Sequence, residues 1–190
     1  MKYGAILCDP PWAFEAYSHK GITTRSAESH YSTSTVSKLS DIPVVEMAAK
    51  DSLMFMWVVD SHLDQGIELM KAWGFAYKTI AFIWVKTKPK APDEPRMGMG
   101  LWTRKESEIC ILGKRGKPPR KSGGVRQVIM EPRREHSRKP DEIYARIEKL
   151  VAGPYLEMFA RQKWPGWDAW GNEVGKFKSD AERYGEVFGS

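Results

Sequence analysis

The chain has too few cysteines to depend on disulfides or on a cysteine-rich zinc site. Only Cys8 and Cys110 occur among its 190 residues, whereas small disulfide scaffolds and zinc sites use several cysteines at fixed spacing. The four histidines are scattered, without metal-ligand spacing: His19, His30, His62 and His136. These shortages exclude a disulfide scaffold and a zinc deaminase, and we expect no bound metal.

Long apolar runs are also missing. A membrane-spanning helix needs roughly 20 consecutive apolar residues, and no segment approaches that length. The first residues, Met1–Asp9, turn acidic too soon for a signal peptide. Hydrophobic residues make up 42% and charged residues 28% of the chain, an ordinary globular balance. We therefore expect a cytoplasmic protein, or a nucleoid-associated one if it binds DNA, with no membrane partner.

Positive charge is in excess and is unevenly distributed. The net charge is +6 and the pI about 9.2, which permits a polyanionic partner without requiring one. The stretch Lys114–Lys139 alone holds ten basic and two acidic residues, a local charge of +8. It predicts a clamp on a nucleic-acid backbone, with Arg120, Lys121 and Arg126 as candidate contacts. A solvated basic loop is the alternative reading.

Strand and helix patterns alternate along the chain, which predicts an α/β fold with a mostly parallel sheet flanked by helices. We expect strands at Tyr3–Cys8, Leu53–Val59, Ala76–Lys86, Ser107–Gly113 and Tyr155–Ala160. We expect helices at Asp41–Ala49, between Ser61 and Gly74, and at Pro140–Ala152. Residues 15–38, 87–105 and 114–138 are predicted loops, the last two of them basic. One domain is expected over 1–174, followed by a tail at 175–190.

The tetrapeptide Asp9-Pro10-Pro11-Trp12 follows the first predicted strand directly. In open α/β sheets, ligands bind beyond the carboxyl ends of the strands. The two prolines have no N–H, so their backbone offers only carbonyl acceptors, and Asp9 adds an ionised acceptor. Trp12 offers a flat face on which a base could stack. A plain turn is the alternative, because Asp-Pro and Pro-Pro are common in loops.

Such an acceptor-only turn suits the amino group of a nucleic-acid base. The lone pair of an adenine amino group is delocalised into the ring, and two acceptors that hold its hydrogens favour a pyramidal nitrogen with more electron density. That nitrogen can take a methyl group from a sulfonium by in-line attack, without a metal. The base must be flipped out of a duplex or be single-stranded to present its amino group.

Cys8-Asp9-Pro10-Pro11-Trp12 resembles the catalytic motif of the MT-A70 family, the adenine-N6 methyltransferases. Further blocks follow in the order of that family over residues 3–174, and blocks in register are more specific than one motif. They are Phe55-Met56-Trp57-Val58, Trp73-Gly74-Phe75, Ile83-Trp84-Val85-Lys86-Thr87, Gly100-Leu101-Trp102, Glu108–Gly113, Ser137–Glu142, Leu156–Arg161 and Trp170–Glu173.

The resemblance implies a Rossmann-like class I methyltransferase fold with its motifs in permuted order and S-adenosylmethionine as cofactor. It implies catalytic roles for Asp9, Pro10, Pro11 and Trp12. It implies cofactor contacts from Cys8, Asp9, Lys139, Phe159, Arg161, Asn172 and Glu173. Trp12 and Glu108 are expected near the acceptor nucleoside. Gln162-Lys163-Trp164 and Glu173 depart from the pattern of the eukaryotic messenger-RNA enzyme, so the ribose contacts there stay open.

The activity expected from the resemblance is methyl transfer to N6 of adenine in DNA, as in the bacterial and phage members. Adenosine-N6 methylation of RNA and a non-catalytic nucleic-acid-binding subunit are the alternatives, and the intact turn argues against the second. Cytosine-C5 methylation needs a cysteine nucleophile, but Cys8 ends a buried-looking strand, which favours a core role. Monomer and homodimer both stay open.

Overall fold

The computed structural model describes residues 1–12, 36–100, 102–135 and 137–177. The strands within these ranges are β1 (Tyr3–Cys8), β2 (Ala48–Val58), β3 (Ala76–Lys88), β4 (Ala91–Pro95), β5 (Ser107–Arg115), β6 (Val128–Pro132), β7 (Tyr155–Met158) and β8 (Trp167–Trp170). The helices are α1 (Val36–Ser40), α2 (Val44–Met47), α3 (Leu63–Ala72) and α4 (Glu142–Leu150), with a 3₁₀ turn at Asp60–His62 before α3.

The described strands form one sheet in the order β4-β3-β5-β2-β1-β7-β8, and β6 also pairs with β3. The pairs β1–β2, β1–β7, β7–β8 and β3–β6 are parallel. The pairs β2–β5, β3–β5 and β3–β4 are antiparallel. The predicted α/β class is confirmed. Antiparallel β5 separates the four parallel strands β2-β1-β7-β8 from the parallel pair β3–β6, and strand β4 is antiparallel to β3.

Helices cover both faces of the sheet. Alternate residues of a strand point to opposite faces, so Ile6 and Cys8 pack with α1, α2 and α3 in one core cluster. Ala5 and Leu7 pack with α4 in the other cluster. Both faces are therefore apolar, which explains the continuous hydrophobic runs of β1 and β2.

Two predicted loops contain strands. The range 87–105 includes the end of β3 and all of β4, and residues Gly98 and Lys105 form a further antiparallel bridge. The range 114–138 includes β6, whose Ile129 is fully buried against the α4 side of the sheet. The short apolar run around Ile129 carries the signal for this strand, but basic neighbours on both sides obscure it.

The other boundaries differ by a few residues. The helix expected at Asp41–Ala49 ends at Met47, because Ala48 already pairs with Tyr3 at the start of β1. The helix expected at Pro140–Ala152 is confirmed as α4. Of the polar stretch 15–38, only 36–38 lie within the described residues, in α1. No helix in the described ranges is long and apolar enough to cross a membrane.

The elements that carry the candidate site meet at one edge of the sheet. The parallel strands β1, β2 and β7 end there, at Cys8, Val58 and Met158. Because β5 runs antiparallel to β2, its first residues lie at the same edge, with Ile109 opposite Val58. The last residue of β5, Arg115, pairs with Ser52 at the other edge. We call these the site edge and the far edge.

Candidate active site

Asp9, the first residue after β1, lies between two cations from distant parts of the chain. Its Oδ2 accepts a hydrogen bond from Lys139 Nζ at 2.9 Å and from Arg161 Nη1 at 3.0 Å. The side chains of all three are largely buried, at 17%, 15% and 11% exposure. The site edge has therefore brought together three residues that the sequence analysis selected.

Lys139 also contacts a second carboxylate, Glu108 at the start of β5. Lys139 Nζ lies 3.3 Å from Glu108 Oε2, and Lys86 Nζ lies 2.6 Å from Glu108 Oε1. Burial raises the pKa of Glu108, but Lys139 and Lys86 outweigh that effect and hold the pKa at about 2. Burial lowers the pKa of Lys139, but Asp9 and Glu108 raise it above its ordinary value. Glu108 and Lys139 are therefore both charged at neutral pH.

Two non-glycine residues beside the site have left-handed backbone. Ser137 has φ of 64° and Phe159 has φ of 59°, a region that costs L-residues free energy and is enriched at functional sites. Arg161 Nη1 donates to the Ser137 carbonyl at 3.2 Å and lies 3.0 Å from Ser137 Oγ. The Phe159 ring packs edge-on against Trp170, with centroids 5.4 Å apart. Both unusual conformations therefore shape the walls around Asp9.

These residues border a narrow, open cleft with a cavity volume of about 30 Å³. Its lining comprises Leu7, Asp9, Trp57, Ser137, Arg138, Lys139, Ile143, Tyr144, Glu157, Phe159, Arg161, Gln162 and Phe177. The cleft is thus built from the ends of β1, β2 and β7 and from the segment before α4.

The rest of the tetrapeptide forms a turn in which the Trp12 side chain is buried. The Trp12 N–H donates to the Pro10 carbonyl at 2.9 Å, and Trp12 Nε1 donates to the Trp57 carbonyl at 3.3 Å. Trp12 is only 4% exposed, so it does not present the open stacking face expected from the sequence. Stacking of a base on Trp12 stays a prediction, and it requires the ring to be uncovered.

The remaining candidates for cofactor contact are placed differently. Cys8 is fully buried, its Sγ donates to the Phe55 carbonyl at 3.6 Å, and burial raises the pKa of its thiol. Its side chain is therefore a core group, and any contact with a ligand would come from its backbone. Glu173 Oε2 accepts from Arg161 Nε at 3.1 Å. Asn172 lies exposed in the turn after β8.

Two of the three basic residues chosen as a nucleic-acid clamp lie away from Asp9. Arg120 and Lys121 follow the end of β5 at the far edge. There the Lys121 N–H donates to the Leu150 carbonyl, and Lys121 Nζ donates to the Glu148 carbonyl, at the C-terminus of α4. Arg126 lies on the return towards β6, where its carbonyl accepts from Arg146. The antiparallel direction of β5, which the sequence analysis did not foresee, causes this separation.

Sequence reasoning missed a buried polar network below the cleft. Tyr144 Oη donates to Glu157 Oε2 at 2.9 Å, and Gln162 Nε2 donates to Tyr144 Oη at 3.0 Å and to Asp141 Oδ1 at 2.9 Å. Arg134 Nη1 contacts Asp141 Oδ2 at 2.7 Å. Glu157 and Asp141 lie in blocks that resemble the family, and this was the only sequence signal that marked them. Residue spacing alone could not show that the β7 residue Glu157 contacts Tyr144 on α4.

The network predicts an unusual pH dependence of stability. Burial raises the pKa of Glu157 to about 7, only partly offset by the Tyr144 hydrogen bond. Between the ordinary pKa of 4.5 and 7, the folded chain binds more protons at this site than the unfolded chain, so its stability falls as pH rises. Glu157→Gln, which keeps the acceptor, should leave the free energy of unfolding unchanged at pH 4 and raise it by up to about 3 kcal/mol at pH 8. Urea unfolding of both proteins across this range measures it, and a constant difference would contradict the assignment.

The fold and the site together define a class: an α/β protein with a charged ligand site at the carboxyl ends of its central parallel strands. Comparison with known proteins identifies the family. The MT-A70 family model matches residues 3–173, so this chain belongs to the MT-A70 family, whose fold is a Rossmann-like methyltransferase fold.

Individual relatives agree with this assignment. The chain is similar to the Type II methyltransferase M.MunI of a Mycoplasma species, with 31% identity over 98% of this chain and 84% of that protein. It is 30% identical to the human N(6)-adenosine-methyltransferase catalytic subunit METTL3 over 91% of this chain. It is 31% identical to an MT-A70-like N(6)-adenosine-methyltransferase of Arabidopsis thaliana over 90%. The alignments span only 28% and 24% of these two eukaryotic proteins.

Proposed function

We propose that the protein is an S-adenosylmethionine-dependent methyltransferase that methylates N6 of adenine in DNA. The observation that carries this proposal is Asp9, which follows β1 in an acceptor-only turn and is held by Lys139 and Arg161 in the lining of the cleft. The cleft and the ion pairs meet at this residue.

The residues present suit the cofactor. Its methionine moiety carries a carboxylate, and Lys139 and Arg161 are cations at the cleft that would hold it through charge-assisted hydrogen bonds. Glu173, anchored by Arg161 Nε, is an acceptor that would hold the ribose hydroxyls. The bound cofactor supplies a methyl group on a sulfonium. The ion pairs of Asp9, Lys139 and Glu108 keep these side chains in position before any ligand arrives.

Asp9 serves the acceptor side of the reaction. Both cations approach its Oδ2, and we assign its Oδ1 to one hydrogen of the adenine amino group. A carbonyl of the proline turn takes the other hydrogen. Methylation would make the amino nitrogen positive, and the proton that it then loses would pass to Asp9 Oδ1 and from there to solvent. A carboxylate at that nitrogen stabilises the positive charge as it develops.

DNA is favoured over RNA by the extent of the similarity. The alignment with the Type II methyltransferase M.MunI spans 84% of that protein, whereas it spans 23–28% of the eukaryotic adenosine methyltransferases. We further propose that the protein acts in the cytoplasm of a bacterium or a phage-infected cell. A non-catalytic role is the second candidate class, and the ion-paired Asp9 argues against it.

Methyl transfer from tritiated S-adenosylmethionine to unmethylated bacterial DNA tests the proposal. Digestion to nucleosides and chromatography should place the label in N6-methyldeoxyadenosine. Ribosomal and messenger RNA are tested as alternative substrates in separate, parallel reactions. Label in RNA alone would transfer the assignment to RNA, and label in N4-methylcytosine or C5-methylcytosine would overturn the acceptor.

The basic surface that meets DNA can be located by its salt dependence. The basic residues Lys90, Arg96 and Arg104 lie between β3 and β5 on the site-edge side, whereas Arg120 and Lys121 lie at the far edge. Each lost phosphate contact flattens the slope of log affinity against log salt by roughly 0.9. Replacing Lys90, Arg96 and Arg104 by alanine should flatten it by roughly 2–3, as measured by fluorescence anisotropy on one duplex.

The matched control replaces Arg120, Lys121 and Arg126 by alanine and removes the same charge. The sequence prediction is that this variant flattens the slope by roughly 0.9 per lost contact. The geometry of the site edge predicts instead that it flattens the slope less than the first variant does. A larger loss from the 120–126 variant would mean that DNA follows the far edge and would reject the site-edge surface.

A further inference from the structure

A protruding hairpin beside the site carries large apolar side chains in solvent. It spans residues 96–105, closed by the bridge between Gly98 and Lys105, and the structure describes all of it except residue 101. Met97 is 64%, Met99 78% and Trp102 100% exposed. Trp102 is the most exposed large apolar side chain among the described residues. A solvated indole gains nothing from packing in the free protein.

The hairpin is tied to the site through a short series of contacts. The Arg96 N–H donates to the Lys86 carbonyl at 2.7 Å, and Lys86 Nζ contacts Glu108, which in turn contacts Lys139. On the other hairpin arm, Lys105 Nζ lies 3.3 Å from Asp60 just after β2. The exposed apolar tip is therefore held on the same edge as Asp9.

The shape of the tip is also built into the backbone. A Cβ on Gly100 would lie 2.0 Å from the Thr103 carbonyl oxygen, and one on Gly98 would lie 2.9 Å from the Lys105 carbonyl oxygen. Side chains at these two positions would force the hairpin arms apart. Glycine at both lets the arms approach each other, and Trp102 between them is fully exposed to solvent.

We propose that this hairpin is a wedge that enters the base stack of duplex DNA, with Trp102 filling the gap left when the target adenine leaves the helix. The inference rests on the proposed function, because methylation of an amino group in a duplex requires the base to be extruded. Extrusion breaks stacking on both neighbouring bases, and an aromatic side chain inserted there restores part of it. Met97 and Met99 supply apolar surface beside it.

Charge favours DNA as the occupant rather than another protein. Residues 96–105 contain Arg96, Arg104 and Lys105 and no acidic residue. A tip that buries itself against a protein would place these cations in an interface, whereas phosphates lie on both sides of any base step that a wedge enters. Apolar insertion flanked by basic side chains is the arrangement used by DNA-bending proteins.

The test compares the same DNA in two forms. Unmethylated bacterial DNA is used native or heat-denatured, with tritiated S-adenosylmethionine. Trp102→Ala should lower label incorporation into native DNA by about tenfold or more and into denatured DNA by less than about threefold, because single strands need no extrusion. Trp102→Phe should keep most activity on both forms. Val45→Ala, which trims an exposed side chain of α2, is the matched control and should change neither.

A second readout does not depend on methyl transfer. Insertion between bases unwinds the duplex, so wild type with S-adenosylhomocysteine should change the linking number of a plasmid relaxed by topoisomerase I, and Trp102→Ala should not. Equal losses on both DNA forms, or equal unwinding by wild type and Trp102→Ala, would overturn the wedge. So would a wild-type dimer, seen by sedimentation without DNA, that Trp102→Ala dissociates. A wild type that labels neither DNA form but still unwinds the plasmid would refute the methyltransferase and leave the wedge standing.

Discussion

Asp9→Asn should lower the turnover of DNA methylation by at least about 100-fold. The substitution keeps the size of the side chain and one carbonyl oxygen but removes the charge that faces the amino group and both cations. Removing a single oriented group that stabilises developing charge costs roughly 10²–10³ in turnover in other enzymes. Single-turnover incorporation of tritiated methyl groups measures the loss directly, because product release does not enter it.

The same variant should also be less stable than the wild type. A strand-end carboxylate on an open surface would be replaceable at little cost. Asp9 is instead largely buried and is the common acceptor of Lys139 and Arg161. Removing one partner from a buried ion pair costs roughly 3–5 kcal/mol, and Glu108 and Glu173 still neutralise part of the remaining charge. We therefore expect a loss at or below the lower end of that range.

The control for Asp9→Asn is Asp64→Asn, an exposed carboxylate on α3. It removes the same charge without touching the site, so both turnover and stability should stay at wild-type values. If Asp9→Asn keeps more than about a tenth of wild-type turnover, less than ~1.4 kcal/mol of transition-state stabilisation was lost. The role assigned to Asp9 would then be wrong.

The parts of this structure that sequence reasoning predicted are those encoded locally. A six-residue, largely apolar run that stops just before Asp9 predicted β1 and the position of the turn. Pro140 followed by two acidic residues predicted the start of α4. The motif blocks gave the family and brought Asp9, Lys139, Glu108 and Arg161 forward as one group. Each of these predictions depends on a few neighbouring residues or on the family resemblance. A prediction of either kind can be made without knowing the order of the strands in the sheet.

The features that were missed depend on long-range pairing. The direction of β5 is fixed by hydrogen bonds to β2 and β3, and no local signal in Ser107–Arg115 distinguishes parallel from antiparallel. Because β5 ends at the far edge, Arg120 and Lys121, which follow it, lie at that edge. The burial of Trp12 against the Trp57 backbone likewise follows from packing between β1 and β2. Composition could show that 114–138 is basic, but not which way it faces.

Lys139→Met should weaken cofactor binding by roughly 10- to 150-fold. The flexible methionine chain fills the same space, so the loss is chiefly that of the charge. A hydrogen bond from a cation to a carboxylate is worth roughly 1.5–3 kcal/mol, which corresponds to that range of affinities. Calorimetric titration with S-adenosylhomocysteine measures it, and Lys71→Met on α3 is the charge-matched control, expected to bind as wild type does.

The pH dependence of stability tests the ion pair between Lys139 and Glu108 independently of cofactor binding. Glu108 has a folded pKa of about 2, below its ordinary 4.5, so it stabilises the fold above pH 4.5 and loses that contribution as pH falls through 2. Lys139 has a pKa above its ordinary value, so its own contribution is complete at any pH below about 10. In Lys139→Met, Glu108 keeps Lys86 but loses its second cation, and its pKa should rise. The destabilisation should therefore be largest at pH 7 and shrink towards pH 3. Unfolding by urea at both pH values measures this. A destabilisation independent of pH, with cofactor affinity unchanged, would contradict both the ion pair with Glu108 and the cofactor contact assigned to Lys139.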